Sequence, residues 1–489
     1  MYNDLIQALL PREPAQFIGG QWQTGRETRE VFNPATEASI GVVADGDEHT
    51  AEHAIEHATK AQKAWARLGL AARAEHLQRL FEQVQENSEA LARLLVTEQG
   101  KPIKEARAEV GMALTMLRYH AGLGFRQTGQ VMASGTPGRT ISIREEPYGV
   151  VAAIIPWNFP LAMFLRKVAP AIVAGNCIVV KPSENTPFSS LAMATLCQRA
   201  GIPAGVVNVV TGPGKSLGDA LVRHPGTHLV TMTGSTRAGT QILHAAADSI
   251  VPVSLELGGK APFIVMADAD IERAAKDAVA SRMTNCGQVC IANERTYVHA
   301  SIHDRFVEAV VREVNQLKLG DPHDESTDIG PKVSAAERDS VNTHLKRALE
   351  QGAQIAAGGP QTLPAALNKG YWVAPTVLTG VSADADILCD EVFGPILPIV
   401  AFDNEQQVID WANASHYGLS AYVYTQDLGT SMRLVDALES GEVYVNRIGP
   451  EEINGFHAGW KRSGLGGDDG EQGYRTYVRT KVTYLDYNQ

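Results

Sequence analysis

Cysteine is scarce in this chain. The 489 residues contain five of them, an odd set with no metal-like pairing: Cys177, Cys197, Cys286, Cys290 and Cys389. Cys286 and Cys290 lie four residues apart without a matching histidine cluster, which argues against a zinc site. Free thiols in a large chain point to a reducing compartment. We therefore predict no bound metal.

Excess positive charge and long apolar runs are also missing. The chain has 43 Lys and Arg against 55 Asp and Glu, a formal net charge of −12, and no block rich in basic residues. This disfavours binding to nucleic acids or to anionic membranes. No run could span a bilayer, and the start MYNDLI lacks the charges and apolar core of a signal peptide. The cytoplasm is the expected location.

Short apolar strands alternate with helical stretches in the first half of the chain, whose total length allows two or three domains. Residues 49–129 show helical spacing, and apolar runs follow at 149–155, 177–180, 206–210 and 228–232. Each run leads through a turn into a helical stretch. Buried strands that alternate with helices predict a doubly wound, Rossmann-like parallel sheet, whose ligands lie beyond the carboxyl ends of its strands.

The alternation resumes after residue 261 and predicts a second α/β domain. Strands are expected at 263–266 and 295–299, with helices between and after them. Residues 130–146 and the tail around 481–485 look instead like strands without helical partners. As edge strands they would need cover.

Cys290 and Glu256 are candidates for covalent catalysis through sulfur. Cys290 ends the segment MTNCGQVC (283–290), and Glu256 lies in LELGGK (255–260). Covalent catalysis through sulfur needs both residue types, because a thiolate attacks a carbonyl and a base later activates water. Both glycine-containing segments resemble the motifs of the aldehyde dehydrogenase superfamily, with further matches over most of the chain.

The resemblance implies roles for four residues. Cys290 would be the nucleophile, while Cys286 would be a neighbour without an essential role; without the family, either thiol is interpreted as a small buried hydrophobe. Glu256 would be the base. Asn158 would bind the oxyanion together with the Cys290 backbone N–H, and its alternative is a plain turn residue. Lys167 would give electrostatic support, and its alternative is a solvated helix charge.

A dinucleotide site is implied as well. The segment TMTGSTRAG (231–239) follows a strand and opens a helix, which suits a phosphate, although it lacks the G-x-G-x-x-G pattern and its glycines could serve packing alone. In the family, Lys181 and Glu184 would reach the adenosine ribose, Glu391 the nicotinamide ribose, and Phe393 the nicotinamide end. The cofactor residues implied by the resemblance are Ile155, Trp157, Lys181, Ser183, Glu184, Gly214, Gly234, Ser235, Gly258, Glu391 and Phe393.

Glu184 also bears on the choice of cofactor. A carboxylate near the ribose accepts hydrogen bonds from two free hydroxyls and repels a 2′-phosphate. We therefore expect NAD, with NADP less favoured.

The family's domain organisation gives boundaries for this chain. Residues 1–129 and 147–257 would form the NAD-binding domain, and 258–445 the catalytic domain. Residues 130–146 and 470–489 would form a small β oligomerisation element, so that a homo-oligomer, a dimer or tetramer, is expected.

One segment departs from the family pattern and bears on the choice of substrate. Where most members carry Pro-Phe-Gly-Gly, this chain has GFHAGWKRSG (455–464), which resembles bacterial lactaldehyde and glycolaldehyde dehydrogenases. The matching positions Arg166, Glu451 and His457 would surround the hydroxyl of a 2-hydroxyaldehyde, because together they donate and accept hydrogen bonds.

Other interpretations stay open at this stage. Arg166 could pair with Glu451 as a structural ion pair, or could receive a carboxylate, as in an acid-semialdehyde dehydrogenase such as one for succinate semialdehyde. A CoA-acylating dehydrogenase would resolve the thioester with a thiol, and Glu256 argues for water instead. A non-catalytic protein of this fold would be expected to lose Cys290, Glu256 and Asn158.

Overall fold

A computed structural model describes residues 4–25, 27–126 and 129–487 of the chain, and only the backbone of Asp4, Leu5 and Phe125. The predicted segments 1–129 and 470–489 therefore lie partly outside the described residues. The strands are β1 (Ala15–Ile18), β2 (Gln21–Thr24), β3 (Glu27–Phe32), β4 (Ser39–Asp45), β5 (Gln130–Ala133), β6 (Arg139–Pro147), β7 (Val150–Ile154), β8 (Cys177–Lys181), β9 (Val207–Val209), β10 (Leu229–Thr233), β11 (Val253–Glu256), β12 (Ala261–Val265), β13 (Asn293–His299), β14 (Gln354–Gly358), β15 (Thr376–Thr379), β16 (Ile396–Phe402), β17 (Tyr417–Gly418), β18 (Ser420–Tyr424), β19 (Glu442–Val445), β20 (Trp460–Lys461), β21 (Gly464–Leu465) and β22 (Val478–Asp486).

The helices follow the same chain order. They are α1 (Asp4–Gln7), α2 (Glu48–Arg67), α3 (Leu70–Glu86), α4 (Ser88–Gln99), α5 (Ile103–Ala121), α6 (Pro160–Ala174), α7 (Pro187–Arg199), α8 (Asp219–Arg223), α9 (Thr236–Ala247), α10 (Ile271–Met283), α11 (His303–Val314), α12 (Ala335–Glu350), α13 (Glu405–Asn413), α14 (Leu428–Ala437) and α15 (Gly470–Arg475).

The first large sheet has the strand order β2-β1-β9-β8-β7-β10-β11-β21. Its centre, from β9 to β11, is parallel, while β1 and β21 join its edges as antiparallel neighbours. Every residue of β8 is buried, as expected for a strand covered by helices on both faces. This is the doubly wound parallel sheet that the alternation predicts. The pattern did not indicate β1 to β4: β1 is buried but only four residues long, β2 is partly exposed and mostly polar, and most of β3 is exposed.

The second large sheet has the order β14-β15-β16-β13-β12-β18-β19 and is parallel except for β14. Its apolar residues form two buried clusters, one with α10 and α11 and one with α12 to α14. The two large sheets therefore have separate cores. The carboxyl ends of β7, β10 and β11 in the first sheet and the segments that precede β12, β13 and β16 in the second sheet line a common cavity, the site described below.

A three-stranded antiparallel sheet, β22-β6-β5, lies apart from both large sheets. Its side chains are largely exposed. Residues 470–475, expected to be strand, form helix α15 instead, because Tyr474 is buried there and the helix packs against α6. Pairing with β6 begins only at Val478. The domain boundaries and the oligomerisation role of this sheet remain predictions. Among the described residues, no helix is long and apolar enough to cross a bilayer.

Candidate active site

A cavity of about 270 Å³ opens beyond the carboxyl ends of β7, β10 and β11 of the first large sheet. Segments that flank the strands of the second large sheet form its other side. It brings together residues that are distant in the sequence. The predicted site residues that line it are Trp157, Asn158, Arg166, Gly234, Ser235, Glu256, Gly258, Cys290, Glu391, Phe393, Glu451 and His457. The predicted site residues that do not line it are Ile155, Lys167, Lys181, Ser183, Glu184 and Gly214.

The loop before Cys290 has an unusual backbone. Asn285 and Cys286 have positive φ angles of 51° and 55°, and Gly287 follows with 73°. Such conformations are strained for residues other than glycine and persist only where the surroundings hold them. Cys290 is half-buried and lines the cavity, whereas Cys286 is buried and burial raises the pKa of its thiol to about 12. Of the two thiols, the geometry favours Cys290 as the nucleophile.

A buried network holds this loop beside Asn158. The Asn285 backbone N–H donates to Glu105 at 3.0 Å, and Gln99 donates to the Asn285 side chain at 3.0 Å. The carbonyl oxygen of Asn158 accepts from Asn285 Nδ2 at 2.9 Å and from Lys101 Nζ at 2.8 Å. The network thus joins the predicted oxyanion residue to the loop of the nucleophile.

The side-chain amide of Asn158 points into the same space. Its Nδ2 donates to the Gln288 carbonyl at 3.0 Å, which leaves the second hydrogen of the amide for another acceptor. Asn158 is buried and lines the cavity together with Cys290. An oxyanion formed next to the thiol would therefore meet an available donor.

Glu256 is the last residue of β11 and is buried in the cavity wall. Burial raises the pKa of its carboxyl to about 8, and the nearby charge of His457 acts in the opposite direction. The Nε2 atom of His457 lies 3.6 Å from its Oε2. The carboxyl can therefore exchange a proton near neutral pH, as a general base must.

His457 is tied down on several sides. Its Nδ1 lies 3.1 Å from Oε1 of Glu442, and its backbone pairs with Asp468. Burial alone would lower the pKa of His457, but the carboxylates of Glu451 and Glu256 raise it well above its usual value. The ring is therefore held as a cation.

Arg166, on α6, has two carboxylate partners. Its Nε and Nη2 donate to Asp469 at 3.2 and 2.6 Å, and Nη2 also donates to Glu451. Arg166 is 6% exposed, and although burial would raise the pKa of Glu451, Arg166 lowers it to about 2. The arginine thus lines the cavity as part of a buried ion-pair cluster.

Lys167 points away from the cavity and is not a solvated charge. Its side chain is fully buried and donates to Asp468 at 2.5 Å. The alternative interpretation as a solvated helix charge is therefore wrong: α6 is buried all round and places this residue in the interior. Lys167 can act on the site only through charge.

The adenosine end of the predicted cofactor site lies at the end of β8. Lys181 Nζ is 3.4 Å from Glu184 Oε1, which also accepts from the Gly214 backbone N–H at 2.7 Å. Ser183 accepts from the Asn185 backbone, and Ile155 donates its N–H to the Lys181 carbonyl at 3.1 Å. The Glu184 side chain is one third exposed, so a ribose could reach it.

The remaining cofactor residues lie nearer the thiol. Ser235 caps α9 by accepting from the Ala238 N–H, and Gly234 and Ser235 line the cavity at that helix start, which suits a phosphate. Glu391 accepts from the Gly259 N–H at 2.8 Å, and a Cβ at Gly258 would collide with its carboxylate. These groups fit a dinucleotide.

An aromatic pair stands at the same end of the cavity. The rings of Trp157 and Phe393 lie edge to face, 5.5 Å apart, and Lys332 donates to the Phe393 carbonyl. Across the described parts of the chain, His, Cys, Asp and Glu side chains form no group of three or more that could hold a metal ion.

Sequence reasoning missed several residues of the site. Asp468 and Asp469 lie in the glycine-rich run GLGGDDG (464–470), and this adjacent acidic pair could have indicated a function. Glu442 lies in a strand, and Lys101 follows Gly100 in a loop, without any motif to mark them. The missed residues are Gln99, Lys101, Glu105, Glu442, Asp468 and Asp469.

Comparisons with known proteins give matches over most of the chain. Residues 22–483 match the model of the aldehyde dehydrogenase family. The chain is 48% identical over 481 residues to the 3,6-anhydro-α-L-galactose dehydrogenase of Streptomyces coelicolor, covering 98% of each chain. It is 42% identical over 480 residues to the lactaldehyde dehydrogenase of Escherichia coli, covering 97% of this chain and 99% of the relative. A solved 3,6-anhydro-L-galactose dehydrogenase in complex with NADP has a TM-score of 0.95 and 44% identity, covering 97% of this chain and 100% of that one.

Proposed function

The chain belongs to the aldehyde dehydrogenase family, and we propose that it uses NAD to oxidise a small 2-hydroxyaldehyde, such as lactaldehyde or glycolaldehyde, to the carboxylic acid. The predicted family and the predicted class of enzyme, an aldehyde dehydrogenase, are confirmed, and the family uses NAD or NADP. The substrate, the preference for NAD and the role of each residue are proposals.

Cys290 would attack the aldehyde carbon and form a tetrahedral thiohemiacetal. The free N–H of the Asn158 amide and the Cys290 backbone N–H would hold its oxyanion. A bound nicotinamide would supply the hydride acceptor. Glu256 would then take a proton from water, which hydrolyses the thioester on Cys290 and releases the acid. Lys167 would support the charges of the site from the interior.

The ion pairs of Arg166 favour a neutral substrate over an anionic one. Both Asp469 and Glu451 contact its guanidinium, so its charge is already balanced. A substrate carboxylate would have to displace these partners or lie beside them, and each costs free energy in a buried site. A neutral hydroxyl needs only a donor and an acceptor, which Arg166 and Glu451 can supply while staying paired.

The total charge around the cavity points the same way. Five carboxyl groups lie around the cations Arg166, Lys167 and His457 beside the cavity, and two of the five, Glu256 and Glu451, line the cavity itself. The carboxyl groups are Glu256, Glu442, Glu451, Asp468 and Asp469. This excess of acidic groups disfavours an anionic aldehyde such as succinate semialdehyde, the alternative substrate considered from the sequence.

The names of the two relatives support the same class of substrate. Lactaldehyde and the open form of 3,6-anhydro-α-L-galactose both carry a hydroxyl on the carbon beside the aldehyde group. An arrangement that recognises this hydroxyl would serve either compound. The choice between a short and a sugar-like aldehyde is left to the assay.

Glu184 supports NAD as the cofactor. Its carboxylate stays ionised because, against the effect of burial, the charge of Lys181 lowers its pKa. A charged carboxylate beside the ribose would repel a 2′-phosphate. The solved relative that binds NADP shows that both cofactors must be tested.

The exposed β22-β6-β5 sheet supports assembly into a dimer or tetramer, while the proposed cytoplasmic location rests on the sequence alone. Val131, Tyr484 and Leu485 are 77%, 68% and 58% exposed there, which leaves apolar surface on an open sheet. Light scattering of the purified protein would test this, and a monomer at micromolar concentration would contradict it.

One steady-state experiment tests the proposed substrate and cofactor. We expect kcat/KM to be higher for glycolaldehyde and lactaldehyde than for acetaldehyde and propionaldehyde by at least about tenfold, since a missing hydrogen bond in a buried polar site costs roughly 1–3 kcal/mol. NADH should form without added CoA, which separates hydrolysis from acyl transfer to CoA. A preference for succinate semialdehyde over both hydroxyaldehydes would refute the proposed substrate.

A further inference from the structure

The Glu256 carboxylate is buried without a donor. Neither of its oxygens has a hydrogen-bond partner among the described residues, and the side chain is 3% exposed. Burial favours the neutral form of such a group, because charge is costly away from water. A general base needs the ionised form. Some neighbouring charge must therefore favour the carboxylate.

Three cationic side chains lie around Glu256, and each of them also has another carboxylate partner. Arg166 and Lys167 each form ion pairs elsewhere in the cluster, as described above. His457 is the cation whose Nε2 faces Glu256, at 3.6 Å from Oε2. The ring therefore supplies the nearest positive charge to the predicted base.

Glu442 fixes the position of this ring. Its Oε1 lies 3.1 Å from His457 Nδ1, and its Oε2 accepts from the Tyr444 hydroxyl at 2.9 Å. With Nδ1 directed at one carboxylate, Nε2 is directed at the other. The order Glu442, His457, Glu256 thus forms a line of alternating charge across the cavity wall.

We propose that His457, held in place by Glu442, acts on deacylation through Glu256, because its imidazolium favours the ionised form of that carboxyl. This role goes beyond recognition of the substrate hydroxyl, and it rests on the proposed role of Glu256 as the base. In the step, water adds its oxygen to the thioester carbon and gives a proton to Glu256. The C–S bond then breaks, which releases the acid and returns Cys290 as the thiolate.

The effect on pH dependence follows from the charges that face the ring. They come from β11, β19, the loops after β19 and β21, the Cys290 loop and α6. These groups are Glu256, Glu442, Glu451, Asp468, Asp469, Cys290, Arg166 and Lys167. Without the imidazolium, the pKa of Glu256 would rise further, so less of it would be ionised at neutral pH. Deacylation would slow at pH 7 and recover in alkaline solution.

A single-turnover experiment tests the role without involving hydroxyl recognition. The enzyme is mixed with NAD and radiolabelled propionaldehyde, which lacks the hydroxyl, and acid quenching follows the loss of the protein-bound acyl group at pH 6 to 10. For His457→Asn we expect the midpoint of the deacylation rate constant to move up by about one pH unit, or roughly tenfold slower deacylation at pH 7. Glu442→Gln should move it in the same direction by less.

The controls separate this role from a merely structural one. His303→Asn, at a half-buried helix start beside the exposed Asp304 and outside the cavity lining, should leave the profile unchanged. If His457→Asn fails to fold, as judged by NAD binding, Glu442→Gln decides the outcome. An unshifted profile, a downward shift, or an equal loss of rate at every pH would overturn the proposal. If Glu256→Gln itself does not accumulate the acyl group, the proposed base is wrong, which is a different result from a failure of His457 alone.

Discussion

Asp469→Asn is expected to let the cavity accept an anionic aldehyde that the wild type disfavours. Asp469 accepts two hydrogen bonds from Arg166 inside the cavity wall. Asparagine keeps the size and one acceptor of this side chain but removes its negative charge. Since Arg166 retains Glu451 as a partner, we expect the fold to survive, with a loss of about 1–3 kcal/mol in the free energy of unfolding.

The magnitude follows from Coulomb's law. A substrate carboxylate about 6 Å from the Asp469 charge, at an effective dielectric constant of about 20, is repelled by roughly 3 kcal/mol. Removing that repulsion is worth up to about a hundredfold in kcat/KM. Glycolaldehyde is neutral and gains nothing from the change. The ratio of kcat/KM for succinate semialdehyde over glycolaldehyde should therefore rise by about ten- to a hundredfold.

The pH provides the same test without a mutation. Burial raises the pKa of Asp469 to about 6, and the charge of Arg166 opposes this effect. Below that pH the carboxyl becomes neutral, so the wild type should discriminate less against succinate semialdehyde at pH 5.5 than at pH 8. Asp469→Asn should lose this dependence.

Steady-state kinetics with both aldehydes would measure the ratio, with Asp304→Asn, at a fully exposed position, as the matched control. An unchanged ratio in Asp469→Asn would refute the view that acidic partners of Arg166 exclude carboxylate substrates.

Three further predictions concern the chemistry and the cofactor. Cys290→Ala should abolish dehydrogenase activity and keep NAD binding, as read by NADH formation and calorimetry, whereas Cys286→Ala should stay active; the reverse result would move the nucleophile to Cys286. Glu256→Gln should show a burst of NADH in stopped flow followed by slow turnover, because hydride transfer needs no water; an equally slow first turnover would exclude its role in deacylation. Glu184→Ala should narrow the gap in kcat/KM between NAD and NADP by about ten- to a hundredfold, and a wild type that prefers NADP would show that other contacts outweigh this charge.

The fold class and the reactive residues could be predicted because their signals are local. A buried parallel strand is a short apolar run, and the turn after it is marked by glycine or proline within a few residues. A functional side chain or backbone group lies directly at such a strand end or turn in three segments: Thr231 to Ala238, LELGGK around Glu256, and the loop before Cys290. Such patterns can be recognised in the sequence without knowing which residues pack against them.

The partners of those residues could not be predicted, because they come from segments far apart in the chain. Arg166 donates to Asp469, which lies 303 positions further along the chain. Lys101 donates to the carbonyl oxygen of Asn158, which lies 57 positions further. Glu442, the first residue of β19, reaches His457 because the chain after β19 returns to the first sheet, where β21 pairs with β11. These contacts set which charges are balanced in the buried cavity, and hence which protons move and which substrates fit. Burial and distance govern such energies, and both arise only when the chain is packed.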